Sequence, residues 1–453
     1  MPERLRAAVA PAFLFACLLL GGSAQGIWGN MLLQLGGLAL LGWAAAHSSD
    51  ERLPAFATQI LLIAIAALAV IALQAVLIPW ALWSQLGPRH SLASAYELLG
   101  LGTHAQPLSL APYLGFDTLV RVIPALGLFC AIVRLKAYRP DWLVLSIFAA
   151  TMAGILLGLL QVAATSRFSR WYLYPETNFG SAVGFFANTN HMATLLVVNL
   201  PFLAAFAARR GEMDSQRRSA GVALVAGAGL VVLVGIALNG SLAGYGLAVP
   251  VLAASALIVF RAGGRLRLWA FAAIALMFLA CVAAIETRPV GAQLFGQEAS
   301  TSVESRQDIF ATTSQAVRDF LPFGSGLGTF RSVYHLYEEP TRVSPTYVIH
   351  AHNDYLELAL ELGLPGIILI ILFLLCWSRA VWRVWKTGGD RPLARAAAIG
   401  SAAILVHSLV DFPLRTGAIS ALFATCLALI AMPRSAMPKD AGELRETRHV
   451  VFR

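Results

Sequence analysis

HAHNDYLELALELGLPGIILIILFLLCWS, residues 350–378, decides the fold. From Tyr355 to Ser378 it is an apolar run of the length that crosses a bilayer as a helix. Its first half puts His350, His352, Asn353, Asp354, Glu357 and Glu361 at the mouth of that helix. Asn353 or Asp354 suits the N-cap, since a short side-chain oxygen there accepts from the first free N–H groups. Glu357 and Glu361 are four apart and share one face. At 1.5 Å per residue Glu361 lies about 10 Å beyond Asp354. A carboxylate at that depth faces protein or water rather than lipid. Gly363-Leu-Pro365-Gly366 then interrupts the helix, and such breaks border a cavity.

The rest of the chain has the same character. The 453 residues are 58% hydrophobic and 13% charged, with mean hydropathy +0.71. A soluble domain carries roughly 25% charged residues, so an ordinary globular fold is excluded. Apolar runs fall near 8–24, 28–46, 55–80, 118–133, 142–162, 190–208, 220–238, 243–260, 268–285, 355–378, 397–412 and 417–432. Their lengths are those of helices, not of the short alternating strands of a barrel. The expectation is an all-α integral membrane protein of about twelve spans. Residues 1–285 hold the first nine, 286–354 a long loop, 355–432 the last three, and 433–453 a charged tail. The five cysteines, at 17, 130, 281, 376 and 426, all lie within apolar runs, which argues against a disulfide framework or a cysteine metal site.

With the N-terminus inside, most of the 33 lysines and arginines fall on the cytoplasmic side, and the acids lean the other way. The net charge of +9 is then a topology signal, not a nucleic-acid surface. Arg4, Arg6, an apolar stretch and Gly22-Ser23-Ala24 have the form of a signal peptide. The next span follows at once, which favours an uncleaved first span. Three loops then face outward. Residues 81–117 follow Trp80 and carry Trp83, His90 and His104; 163–189 carry Arg167, Arg170, Trp171, Tyr172 and Tyr174; 286–354 form the longest.

Within the long loop, Thr301-Ser302-Val303-Glu304 has the pattern of a capping box. It opens a helical pattern with Val303, Ile309, Ala316, Val317 and Phe320 on one face, ending at Pro322. Gly324-Ser-Gly326-Leu-Gly328-Thr-Phe-Arg331 follows and leads into a second helix. Glycines before a helix let N–H groups converge on an anion, and Arg306 and Arg331 supply forked donors for a phosphate. An ordinary loop is the alternative. His350 and His352 with Asp354 lack a further ligand at metal-site spacing, so no metal is expected. His407, Asp411 and Arg415 recur every four residues, and Asp411 with Arg415 reads as a local ion pair. Asn188, Asn190 and His191 follow Gly184-Phe185-Phe186.

His352-Asn353, nine residues, Gly363, two residues, Gly366 resembles the signature of the O-antigen ligase and polymerase family of bacterial envelope glycosyltransferases. Ser305-Arg306 with Pro322–Gly328 is similar to that family's periplasmic-loop motif, and Gly184–Asn190 to its Asn-x-Asn element. His407–Arg415 is similar to a C-terminal stretch common in its members. The resemblance covers roughly residues 180–432. It implies a GT-C-like fold in the bacterial inner membrane, a site facing the periplasm, and no metal or cofactor. It also implies an undecaprenyl diphosphate-linked glycan donor, with lipid A-core, a growing polysaccharide or a protein as acceptor. Many ligases carry Ser-Arg where this chain has Ser241-Leu242, so Arg167, Arg170 or Arg331 would have to replace that arginine.

These readings make His352 the general base, or the group that orients the acceptor, and Arg306 the diphosphate ligand. Arg331, Asn353, Tyr355, Gly326, Gly328, Asn188, Asn190, Arg167 and Arg170 are the expected substrate-binding residues. Glu361, Gly363, Pro365, Gly366, His407, Asp411 and Arg415 shape the cavity, and His350 is incidental. A lipid-linked glycan flippase or secondary transporter is the rival reading, since a broken helix with a buried acid also suits a carrier. A membrane scaffold is the third. The absence of internal repeats and the long patterned loop favour the enzyme.

Overall fold

The computed structural model describes residues 2–24, 27–47, 51–101, 103–164, 169–209, 215–261, 297–340, 347–386 and 391–432. Arg167, the expected span near 268–285 and the tail lie outside the described residues. Each of the other expected spans contains a helix, although those expected over 8–24 and 397–412 end early, at Leu20 and His407. The first five long helices are α1 (Glu3–Leu20), α2 (Trp28–Ala46), α3 (Ala55–Gln74), α6 (Pro112–Val133) and α7 (Pro140–Ala163). Next come α8 (Thr189–Arg209), α9 (Ser215–Asn239) and α10 (Leu242–Arg261). Pro112 and Pro140 open their helices, where a missing N–H costs nothing. Between α3 and α6 lie α4 (Trp80–Trp83) and α5 (Arg89–Leu98), enclosed by the antiparallel pair β1 (Leu77–Ile78) and β2 (Gln106–Pro107).

The C-terminal part comprises α11 (Gln297–Phe320), α12 (Phe330–Tyr337), α13 (Asp354–Lys386), α14 (Pro392–His407), a 3-10 turn (Pro413–Arg415) and α15 (Gly417–Ala431). Among the described residues seven helices are long and apolar enough to cross a membrane: α2, α3, α6, α7, α8, α10 and α13. Shorter apolar stretches occupy Ala223–Asn239 in α9, α14 and α15. The chain is an integral membrane protein. The span expected to reach residue 80 ends at Gln74, where the chain turns into β1. Helix α11 begins at Gln297, ahead of the expected cap at Thr301, because Gln297, Glu298 and Ala299 are good helix formers and extend it backwards.

Helices α8 and α14 pack on each other at the centre, with α9 and α10 against α8. Helices α2 and α15 pack on α6, and α1 on α7 and α15. Leu14, Leu128, Leu196, Phe202, Ile404 and Leu422 are among the buried core residues. A second, smaller core joins α11 and α12 to the start of α13 through Ile309, Ala316, Phe320, Phe330, Val333 and Leu360. Of the face expected on α11, Ile309, Ala316 and Phe320 are buried and Val317 partly so.

The two cores meet at a break in α13. Gly363 has φ 63° and ψ −148°, a conformation closed to other residues. The carbonyls and N–H groups freed there are taken up by the glycine turn. Ser325 N donates to Leu360 O and Gly326 N to Glu361 O, both at 2.9 Å, and Leu364 N donates to Pro322 O at 2.8 Å. A β-carbon on Gly363 would sit 2.3 Å from Pro322 O, and one on Gly324 2.5 Å from Glu361 O. Two side chains that the sequence reading passed over secure the joint. Gln74 Nε2 donates to Phe323 O and Glu361 O at 2.9 Å, and Arg89 Nη2 donates to Gly324 O at 2.7 Å. Arg89 is buried, which pulls its guanidinium down to about 10.

Candidate active site

Helix α14 ends at His407, and the chain turns through 408–410 to deliver a buried Asp411. Asp411 Oδ2 accepts from Asn190 Nδ2. Its Oδ1 lies 3.4 Å from His352 Nδ1 and 4.0 Å from His191 Nε2. Asn190 is fixed in turn by Ser241 Oγ, which donates to its Oδ1 at 2.7 Å. Thr194 Oγ1 and His407 Nδ1 share a 2.7 Å hydrogen bond. The Phe412 ring packs against His350, His191 and His352, with centroids 4.3, 5.1 and 5.0 Å away. Arg306 lies close enough for its charge to bear on His407. Burial alone would raise the Asp411 carboxyl. The contact with His352 and the charges of His191, His352 and His407 outweigh it and hold the group well below the usual carboxylate range.

Exposure separates the histidines around Asp411. His191 is 2% exposed and His407 1%, whereas the His352 side chain is 27% exposed. Only His352 of these three can meet a substrate. Its φ of +49° is a strained conformation for a residue with a β-carbon, of the kind retained at functional sites. With Nδ1 turned to Asp411, Nε2 is the nitrogen left for chemistry.

Arg415 organises a second cluster one turn below. Its Nη2 is 3.2 Å from both Glu357 Oε1 and Glu361 Oε2, and its Nε is 3.7 Å from Asp354 Oδ1. Burial lowers the affinity of its guanidinium for a proton, but Glu357, Glu361 and Asp354 outweigh burial and raise it above the ordinary arginine value. The expected Asp411–Arg415 pair does not form. Four-residue spacing aligns side chains only on a continuous helix, and α14 stops at His407, so the two residues diverge. His350 is not incidental: its Nδ1 lies 2.9 Å from Glu357 Oε1, which joins the two clusters.

The other predicted residues fall into distinct places. Asn353 is the N-cap, accepting from Tyr355 N and Leu356 N at 3.0 Å and donating to Leu409 O. Tyr355 Oη donates to Leu405 O at 2.8 Å. Both hold the histidine segment against α14. Asn188 accepts from Asn190 N at 2.8 Å at the start of α8. The glycine turn does present N–H groups to an anion, but that anion is the chain's own Glu361. Gly328 N donates to Glu361 Oε1 at 2.9 Å, and Gly326 N is spent on the Glu361 carbonyl. The turn is thus filled from within, because the break in α13 leaves Glu361 facing it. Pro365 follows the break, and Gly366 is buried where a β-carbon would lie 2.5 Å from Leu362 Cβ. Arg331 stacks on Tyr347 and Arg170 on Trp171, both exposed. Leu242 is 44% exposed at the head of α10, and the preceding Ser241 is the residue that reaches the cluster. Among the described residues no group of three His, Cys, Asp or Glu side chains has metal-site geometry.

The family model described as O-antigen ligase matches residues 214–371, which include Arg306, His352 and the break at Gly363. That stretch is similar to an O-antigen ligase domain. No curated protein matches the sequence. Within the matched stretch, the signature from His352 to Gly366 is the joint between the two clusters. The residues that complete the Asp411 site, from Asn190 and His191 to His407, come from α8 and α14 outside the matched stretch. Sequence reading missed the roles of His191, Phe412, Ser241, Gln74 and Arg89. His191 directly after Asn190 was the one local signal available.

Proposed function

We propose that this chain transfers a glycan from an undecaprenyl diphosphate-linked donor to an acceptor hydroxyl on the periplasmic face of the bacterial inner membrane. The acceptor is lipid A-core in a ligase or the next repeat unit in a polymerase. The observation that carries the reading is His352. It is the exposed imidazole of the Asp411 cluster, held at positive φ with its Nδ1 toward a buried carboxylate. The acceptor O–H gives its proton to Nε2 as the oxygen bonds to the anomeric carbon, and the bond from that carbon to the diphosphate breaks. Asp411 stabilises the imidazolium formed, as a buried carboxylate does behind a general base. Arg306, on α11 within electrostatic reach of the cluster, takes the charge of the departing diphosphate without needing a proton.

The test is transfer by purified protein in liposomes, with a lipid-linked oligosaccharide donor and either lipid A-core or a second lipid-linked unit as acceptor. A new glycosidic bond that is lost in His352→Ala supports the reading, and the productive acceptor separates ligase from polymerase. Transfer to a protein acceptor would make it a protein O-glycan ligase. Movement of donor across the bilayer without bond formation would replace the enzyme with a flippase.

A further inference from the structure

The excursion between β1 and β2 carries an apolar tip that no described residue covers. Leu98, Leu99 and Leu101 are 89%, 72% and 59% exposed. Leu82, in α4, is exposed as well. The tip is not loosely attached. Trp80, Trp83 and Tyr96 stack on one another at 5.5–6.2 Å, and Trp83 Nε1 donates to Pro107 O at 2.9 Å. At the other end of α5, the buried Arg89 holds the glycine turn through Gly324 O. Helix α5 is therefore a rigid strut, with the turn beside Glu361 at its start and a bare leucine tip at its end.

We propose that this strut is docked into the lipid bilayer, with Leu98, Leu99 and Leu101 among the acyl chains of the leaflet adjoining the candidate site. The partner is identified by continuity. Helix α3 is a span with only 11% of its apolar window buried, so its flank faces lipid. Exposed Leu73, Val76 and Leu77 carry that flank without a gap into the excursion. Helix α3 ends at the level of the site, since Gln74 bonds both Phe323 O and Glu361 O. Stacked tryptophan and tyrosine rings are the side chains that settle at a membrane–water boundary. An apolar helix end beside them enters the headgroup–acyl boundary rather than water. Docking would fix the depth of the glycine turn, and through it α11 and α12, relative to the bilayer.

Spin labelling of the full chain in phosphatidylcholine–phosphatidylglycerol liposomes tests this. A nitroxide on Leu99→Cys should collide with oxygen and be shielded from a water-soluble nickel chelate, at a depth of roughly 5–10 Å. Ile65→Cys on the exposed flank of α3 calibrates the lipid signal, and the unsubstituted chain sets the background from native cysteines. Free access of the nickel chelate would overturn the proposal in favour of a water-exposed tip. Low access to both reagents with spin–spin broadening would overturn it in favour of a second copy. If Leu99→Cys does not accumulate, Leu98→Cys reads the same depth.

Discussion

His352 Nδ1 lies 3.4 Å from Asp411 Oδ1, although the two residues come from different helix ends and Asp411 is wholly buried. Sequence neighbours do not bring them together. Asn353, as cap of α13, and Asp354, whose N–H donates to Ser408 O and whose Oδ2 accepts from Ser408 Oγ, stitch the two helix ends side by side. The backbone conformation of His352 then costs about 1–3 kcal/mol, supported by that stitching.

Because the strain belongs to the backbone, function and stability should separate at this position. After glycine, asparagine is one of the few residues that visit the left-handed region routinely. His352→Asn should therefore abolish transfer while its melting temperature stays level or rises. His352→Ala should abolish transfer with no such gain. Thermal melting in detergent beside the transfer assay checks both, and retained transfer in either variant would remove His352 from the reaction.

Asp411→Asn keeps the shape and removes the charge. A general base deprived of its supporting carboxylate should lose about 10²-fold or more in rate. The folded carboxyl is depressed, so its contribution to stability is present above the unfolded value and is lost as pH falls through the folded one. The stability advantage of the parent over Asp411→Asn should be constant from neutral pH to about 5 and shrink below about 4. Melting curves across that range test the sign, and an advantage growing towards acid would contradict it.

Arg415 is the only cation in direct contact with Asp354, Glu357 and Glu361 among the described residues, apart from the histidine on Glu357. Arg415→Met strands buried carboxylates and should cost about 3–5 kcal/mol, seen as lower yield and a lower melting temperature. Adding Glu361→Gln should recover part of that loss. A double variant no better than the single would show that Glu361 does not depend on Arg415.

How much of this was legible follows from the range of each interaction. Local signals were sufficient for the described apolar helices, for a cap at Asn353 or Asp354, for most of the buried face of α11 and for the break after Leu362. The partners were not. Asp411 and Arg415 suggested a pair because four-residue spacing presumes a helix, and α14 ends before it could act. Glu361 reaches Gly328 across a loop, and Asn190 reaches Asp411 from a different helix, so no local pattern encodes either contact. The glycine turn read correctly as an anion cradle but for an external anion, because nothing in its own residues reveals that α13 presents one.

That joint gives the last prediction. Gly363 stands where φ is +63° and where a β-carbon would be 2.3 Å from Pro322 O and 2.5 Å from Gly324 N, all of it backbone. Gly363→Ala therefore pays about 1–2 kcal/mol for its conformation and must also push the turn away. Separation of the turn frees Gly328 N from Glu361 and loosens α11, which carries Arg306. The expected result is a lower melting temperature together with a raised apparent KM for the lipid-linked donor. Leu364→Ala, at the next position but exposed, should leave both unchanged. Equal effects from the two variants would mean that the break does not position Arg306.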